Sequence, residues 1–374
     1  MLRFHPSRFS WILMSTLGLW TVAAQAQEFR YRYVSLDFDQ IELPSGFIFF
    51  QPTAINNSGR VYGDAYDDEF FLPHVAVYAG GVVTVLQPGQ PGSIVRAVNQ
   101  GGTIGGSILI DEVNFTGQAA LFHGDRVEPI PPQPGESNSF VLALNDSGMA
   151  LVLSENDSGP STFVLYKNGQ STPLDLGSNI ANPDFLHINN QGIISGTNFI
   201  PGVGFRGFRF DPRTGKTTQL DPLPTEPDAW ALDINNRGDV LGYSFVPGGR
   251  ERVGVWNRHG WFQTYFVEGI PGFPTVSNDL LFNDNNLIVI TRVSKPKEPE
   301  EPTDPPSEVG NSYLIPRPGV RLNLADLVEN LPPVEAPVQS IIDVNNHGSM
   351  IGYRFIFPAD FTLFLLERIG VGSH

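Results

Sequence analysis

The chain has 374 residues, a formal net charge of −16 and no cysteine. Disulfide bonds, thiolate metal sites and a cysteine nucleophile are therefore excluded. The acidic balance argues against a nucleic-acid partner, because binding to a phosphate backbone depends on clustered Lys and Arg.

The first 26 residues have the organisation of a bacterial signal peptide. Arg3 and Arg8 give a positively charged start, residues 11–24 form a short apolar core, and Ala24 and Ala26 supply small residues. We expect cleavage after Ala26 and a mature protein in the periplasm or outside the cell, without a membrane span. An uncleaved anchor is less favoured, because the apolar run is short for a bilayer core of about 30 Å.

Beyond this leader, one decapeptide recurs seven times. The copies are AINNSGRVYG (54–63), AVNQGGTIGG (97–106), ALNDSGMALV (143–152), HINNQGIISG (187–196), DINNRGDVLG (233–242), LFNDNNLIVI (281–290) and DVNNHGSMIG (343–352). The Asn at the third position, the repeat asparagine, recurs after 43, 46, 44, 46, 48 and 62 residues. A period in the forties is typical of β-propellers with four-stranded blades. The longest step contains a Pro- and Glu-rich insert at residues 294–309, which we expect to form a loop.

Each repeat divides into four short strands between Gly and Pro residues. In the first repeat, the second to fourth strands are predicted at residues 60–66, 74–80 and 82–88. The seventh repeat ends after its third strand, at Glu367, and residues 29–38 have no partner within the first repeat. An N-terminal strand that completes the last blade would leave no exposed sheet edge at the junction. The sequence therefore predicts an all-β, seven-bladed propeller of antiparallel blades over residues 27–374, closed by the N-terminal strand, and a monomer.

The decapeptide reads as a hairpin turn. Three residues after the repeat asparagine stands a Gly, or Asn286 in the sixth copy, at a position that needs positive φ. The Asn side chain can bond to the backbone two residues later, and the apolar residue five positions later is predicted to pack between blades. A calcium loop is the alternative, but most copies offer amides with at most one acid.

AINNSGRVYG, a gap and then HVAVYAGG resemble the HAF-repeat family of bacterial extracellular proteins. The family is named for a His-Ala-Phe at the start of the third strand, and His74-Val75-Ala76 is the nearest match here. Other blades depart from this motif, as at residues 118–120 and 206–208. The resemblance implies a propeller-type fold and export, and it implies no general activity.

Candidate catalytic residues lie two positions before the repeat asparagines. His187, Asp233 and Asp343 occupy this column, and Arg96 lies one residue earlier in its own blade. Innermost strands would place them at the mouth of the central channel, where His and carboxylate groups can act as acid, base or metal ligands. Structural hydrogen bonds between strands are the favoured alternative.

Binding is expected on the face opposite the turns, where the loops are long. Trp230, Phe71 and Phe115 are candidates for stacking on sugar rings, with packing between blades as the alternative. Asp279, beside the FNDNN turn, is the one candidate for a cation, and no cofactor is predicted. The favoured function is a non-catalytic module that binds an extracellular glycan or protein, and the alternative is a polysaccharide lyase or hydrolase at the channel mouth.

Overall fold

The computed structural model describes the chain from residue 28 to residue 369, with gaps. The described ranges are 28–37, 39–86, 92–111, 116–155, 161–177, 179–246, 251–268, 280–293, 310–334, 338–356 and 360–369. The predicted signal peptide, the insert at residues 294–309, Phe115 and Asp279 lie outside them. Among the described residues, no helix is long and apolar enough to cross a membrane.

Seven four-stranded antiparallel blades form a ring, which confirms the predicted β-propeller. Blade one contains β2 (Phe47–Ile55), β3 (Val61–Asp67), β4 (Pro73–Ala79) and β5 (Val82–Val85). Blade two contains β6 (Ile94–Val98), β7 (Ile104–Asp111), β8 (Thr116–His123) and β9 (Arg126–Pro129). Blade three contains β10 (Asn138–Leu144), β11 (Ala150–Glu155), β12 (Thr162–Lys167) and β13 (Gln170–Leu174). Blade four contains β14 (His187–Ile188), β15 (Ile194–Ile200), β16 (Gly204–Asp211) and β17 (Lys216–Leu220). Blade five contains β18 (Asp228–Ile234), β19 (Val240–Phe245), β20 (Glu251–Trp256) and β21 (Phe262–Glu268). Blade six contains β22 (Leu280–Phe282), β23 (Ile288–Val293), β24 (Gly310–Arg317) and β25 (Val320–Asn323). The first strands of neighbouring blades contact one another, so they are the innermost strands.

Blade seven combines both ends of the described chain. It consists of β27 (Ser340–Val344), β28 (Met350–Ile356), β29 (Asp360–Ile369) and the N-terminal β1 (Arg30–Ser35), which pairs antiparallel with β29. The predicted closure is therefore present. A fifth, two-residue strand, β26 (Val328–Glu329), adds to β1 in parallel, and the sequence pattern did not predict it.

Two 3-10 turns complete the described secondary structure, at Pro183–Phe185 before β14 and at Leu324–Leu327 before β26. Each begins after an Asn whose side chain accepts a hydrogen bond from the backbone N–H two residues later. This is the usual way in which Asn satisfies free N–H groups at such starts.

The core is divided between the blades. The buried apolar side chains form seven clusters, and each cluster joins two neighbouring blades, including blades seven and one. The apolar position of the decapeptide is fully buried in every copy, as predicted: Val61, Ile104, Ala150, Ile194, Val240, Ile288 and Met350. Burial of apolar area between blades is the main force that holds such a ring together.

The last glycine of the decapeptide has a separate cause. At Gly63 an added Cβ would lie 2.0 Å from the carbonyl oxygen of Gln51 on the innermost strand. The register between β2 and β3 shifts at this level, which marks a β-bulge. Because Gly63 has no side chain, the two backbones can approach this closely at the bulge of blade one.

Candidate functional site

Each decapeptide turn is folded by the oxygen of its repeat asparagine. In blade three, Oδ1 of Asn145 accepts hydrogen bonds from the backbone N–H groups of Ser147 (3.1 Å) and Met149 (2.9 Å). Gly148, which closes the turn, has a φ of 74°, and Asn286 at the equivalent position in blade six has a φ of 58°. The predicted turn chemistry is thus confirmed.

The nitrogen of the same amide links neighbouring blades, a contact that the local sequence pattern does not predict. Nδ2 of Asn145 donates to the carbonyl oxygen of Asn189 in blade four at 2.9 Å. Four further copies make the same bond to the next blade, from Asn99, Asn189, Asn283 and Asn345. In the other two copies, Asn56 donates to Tyr62 and Asn235 donates to Asn286.

The residues that follow the repeat asparagines close a second ring of hydrogen bonds. We call them the rim residues: Asn57, Gln100, Asp146, Asn190, Asn236, Asp284 and Asn346. The backbone N–H of each donates to the side-chain oxygen of the next, at 2.6 to 2.9 Å, and Asn346 returns to Asn57. Every rim residue must therefore carry a hydrogen-bond acceptor in its side chain. This requirement explains why each rim position holds Asn, Asp or Gln.

The rim surrounds the channel mouth on the face that carries the turns, which we call the turn face. A cavity of about 220 Å³ opens there, and Asp233 lines it together with six rim residues. Asp284 accepts from the side-chain amides of Asn236 (2.9 Å) and Asn346 (2.6 Å), so its carboxylate is already engaged.

His187 and Asp233 meet in neighbouring blades. The His187 Nδ1 and the Asp233 Oδ1 are 3.4 Å apart, and about a quarter of the Asp233 side chain is exposed. Burial raises the pKa of Asp233, and the His187 ring and the N–H of Ile234 offset part of that rise. His187 and Asp233 are the two catalytic candidates among the described residues whose ionisable groups lie within ion-pair distance of each other.

Asp343 is held by backbone groups instead. Its Oδ2 accepts from the N–H of Ile55 in blade one (2.8 Å), and its Oδ1 accepts from the N–H of Val344 (2.8 Å). Burial raises its pKa to about 6 despite these two hydrogen bonds, and the charge of Asp233 adds to the rise. The Oδ2 bond stabilises the junction of blades seven and one, and the Oδ1 bond holds the carboxylate against its own strand.

Arg96 stacks on an aromatic ring of the next blade. Its guanidinium lies 4.9 Å from the ring centroid of Phe140 in blade three, and it interacts electrostatically with Asp64. Asp64 is buried and accepts from the N–H of Val95 at 2.8 Å. The contacts of Arg96 thus differ from those of His187, Asp233 and Asp343.

Trp230 lies within an aromatic cluster of blades four and five. Its ring is 4.8 Å from Phe205, 6.3 Å from Phe185 and 6.2 Å from Tyr243, with which it is nearly parallel. Its Nε1 is buried and has no hydrogen-bond partner among the described residues. The Trp230 ring therefore packs mainly between blades, which is the alternative to stacking on a sugar ring.

Phe71 occupies a different environment, at the end of β3 that points away from the turns, on what we call the loop face. Its side chain is 59% exposed, and that of Phe70 is 70% exposed. The Phe71 ring stacks on Tyr66 at 4.8 Å, and its φ of 55° is unusual for a bulky residue. Tyr66, Phe70 and Phe71 form what we call the aromatic platform, and Phe70 was not singled out by the sequence pattern.

His74 positions this platform. Its Nε2 contacts Oδ2 of Asp67 at 3.1 Å, and Oδ1 of Asp67 accepts from the N–H of Phe70 at 2.8 Å. Burial alone would raise the pKa of Asp67, but the hydrogen bonds from Phe70, His74 and Leu72 outweigh it and lower the pKa. A buried His thus fixes the carboxylate that orders the exposed loop.

Other cavities lie between blades. One of about 750 Å³ lies between blades three and four, and none of the sequence candidates that the structure describes lines it. Among the described residues, no group of three or more His, Asp or Glu side chains is arranged to hold a metal ion.

Comparisons with known proteins add the fold and nothing finer. No family model matches the chain, and no curated protein matches it in sequence. The β-propeller domain of the trilobed protease from Pyrococcus furiosus is similar with a TM-score of 0.53 at 10% identity, over 87% of this chain and 98% of that one. A prolyl endopeptidase is similar with a TM-score of 0.52 at 11% identity, over 93% of this chain and 56% of that one.

TolB from Acinetobacter baumannii gives a TM-score of 0.44 at 11% identity, over 84% of this chain, and the match spans 65% of TolB. The Pyrococcus domain has an open velcro topology, whereas β1 pairs with β29 here. These likenesses show the fold alone, and the chain is a seven-bladed β-propeller.

Proposed function

We propose that the protein is an exported, non-catalytic binding module of the HAF-repeat type, and that it recognises a carbohydrate on the loop face of blade one. The observation that carries this proposal is the aromatic platform. Two adjacent exposed Phe side chains form an apolar surface patch, and such patches mark interaction sites. The contact between His74 and Asp67 orders the loop that carries Phe70 and Phe71. This fixed loop conformation supports a role for the platform in binding.

The surroundings of the platform favour a glycan over a peptide. The apolar C–H face of a sugar ring packs on a flat aromatic ring, while its hydroxyl groups donate to carboxylates. Tyr66 and Phe71 give the flat stack, and the exposed Asp68 and Glu69 lie in the same loop. Ligand sites commonly combine aromatic surface with a few polar groups in this way.

An array of glycans and peptides, probed with the mature protein, tests this proposal. We expect glycan binding that is lost in a Phe70→Ala/Phe71→Ala double variant. Trp261→Ala is the matched control, because Trp261 is 76% exposed but belongs to the β20–β21 turn on the turn face. Binding of peptides alone, or equal loss in the control, would overturn the glycan proposal.

The contact between His187 and Asp233 favours a second function, a polysaccharide lyase or hydrolase at the channel mouth. Mass spectrometry of the glycans after incubation separates the two functions. A binding module leaves them intact, whereas an enzyme yields shorter products that disappear in His187→Ala.

Export and a monomeric state belong to the same proposal. Mass spectrometry of the protein recovered from periplasm and medium should show a chain that begins at Gln27. Light scattering should give the mass of one mature chain. A retained leader or a stable dimer would contradict these two points separately.

A further inference from the structure

A cluster of positive charge lies on the turn face of this acidic protein. A cleft of about 400 Å³ between blades four and five is lined by Arg209, Arg213, Lys216, Arg237 and Arg258. The chain holds 23 Lys and Arg residues against a net charge of −16, so five in one cleft is a strong local excess.

Three turns bring these cations together. Arg213 and Lys216 come from the β16–β17 hairpin, Arg237 from the decapeptide turn of blade five, and Arg258 from the β20–β21 hairpin. All three turns lie on the turn face, because the first-to-second and third-to-fourth strand connections of an antiparallel blade share one side. Residues that are distant in sequence thus converge through the fold.

Carboxylates neutralise only part of this charge. Asp211 pairs with Arg213 at 3.2 Å, and Asp239 pairs with Arg237 at 3.6 Å. Within the described part of the chain, Arg209, Lys216 and Arg258 have no carboxylate within ion-pair distance.

Arg209 is the least expected member of the cluster. Arg209 is only 9% exposed. Its Nη2 donates to the carbonyl oxygens of Trp256 (2.9 Å) and Asn257 (2.6 Å) in blade five. Its Nε is buried and has no hydrogen-bond partner within the described ranges. Burial lowers the pKa of this guanidinium, and the charge of Asp239 offsets part of that effect. A buried cation that has no carboxylate within ion-pair distance is unfavourable, and an anionic ligand would relieve this cost.

We propose that this cleft binds a small anionic ligand through an oxyanion group: phosphate, sulfate or carboxylate. Guanidinium groups match such oxyanions with paired N–H donors, and Thr214 and Thr218 add hydroxyl groups to the lining. The volume lies within the usual range for small-molecule sites. This site is separate from the platform in blade one and does not depend on the glycan proposal.

Calorimetric titration of the mature protein at low ionic strength tests the site, with inorganic phosphate, inorganic sulfate and citrate as three separate probes. We expect saturable binding of at least one probe, and the preferred probe identifies the oxyanion class. Affinity should fall by about tenfold or more in Lys216→Gln/Arg258→Gln, which removes two cations that have no carboxylate partner. Added salt should weaken binding further.

Arg126→Gln/Lys167→Gln is the matched control, because both cations are exposed on blades two and three. It should leave affinity unchanged, and thermal unfolding of both double variants checks that each one is folded. Absence of saturable binding for all three probes, or equal weakening in the control, would overturn the proposal. If Arg209 has only a structural role, none of the three probes should show saturable binding.

Discussion

At the residue scale, each amide of the repeat has two separate tasks. The oxygen of Asn145 folds its own turn, and the nitrogen reaches the next blade. Only the first task could be predicted from sequence, because an Asx-turn is local whereas the acceptor of the nitrogen lies 44 residues away. The same limit applies to Asp64, whose burial against Val95 follows from the packing of two blades.

Asp64 should make stability depend on pH. Burial raises its pKa from 3.8 to about 7, so the folded state holds a proton that the unfolded state releases. Its contribution to stability is therefore largest at low pH and is lost as the pH rises from about 4 through 7. Asp64→Asn keeps an acceptor for Val95 and removes the charge, so it should gain on the order of 2 kcal/mol relative to the parent between pH 5 and pH 8.

Urea unfolding at these two pH values measures this difference. Asp68→Asn, which removes an exposed carboxylate of the next loop, is the control and should show no such gain. Parallel pH profiles for the parent and Asp64→Asn would contradict the assignment.

Asn286 stands where six other copies have Gly, and the structure gives the reason. Its Oδ1 accepts a hydrogen bond from Nδ2 of Asn235 at 2.8 Å. In most other copies a backbone carbonyl oxygen of the next blade is the acceptor. Asn286→Gly keeps the positive φ but loses this acceptor, so the free energy of unfolding should fall by about 1 kcal/mol. Thermal or urea unfolding measures the loss. Gly148→Asn, which has open space around its Cβ position, should be close to neutral, and an equal effect of both changes would argue against the acceptor role.

At the element scale, the turns act as joints between blades as well as hairpins. The hairpin positions, the Gly at positive φ and the buried apolar position could all be predicted from the repeat. The aromatic platform was recognised only at Phe71, because the loop lacks a repeated pattern. The cationic cleft was missed, since net charge averages over the chain and three separate turns supply the cleft.

Asn145 and Asn257 separate the two tasks of the turn. Oδ1 of Asn257 accepts from the N–H groups of His259 and Trp261, so it folds the same kind of turn. Asn145→Ala loses this turn function and also the link to Asn189, and should cost on the order of 3 kcal/mol. Asn257→Ala loses only the turn bonds and should cost about 1 kcal/mol. Equal losses in chemical denaturation would show that the link between blades contributes nothing.

At the scale of the whole molecule, three layers hold the ring closed. Apolar clusters fill all seven junctions, the rim residues form a continuous circle of hydrogen bonds, and β1 completes blade seven. The number of blades and their closure could be predicted by counting repeats. The short β26 could not, because its two residues carry no pattern and only the position of β1 gives them a partner.

Removal of β1 tests the closed ring most directly. Tyr31 is fully buried, and Arg32 pairs with Glu367 of β29, so deletion of residues 28–37 should expose both a core and a sheet edge. Calorimetric melting of the deleted and parent mature chains should then differ by on the order of 10 °C or more, with loss of a single cooperative transition. An unchanged melting temperature and a single sharp transition after the deletion would contradict closure by the N-terminal strand.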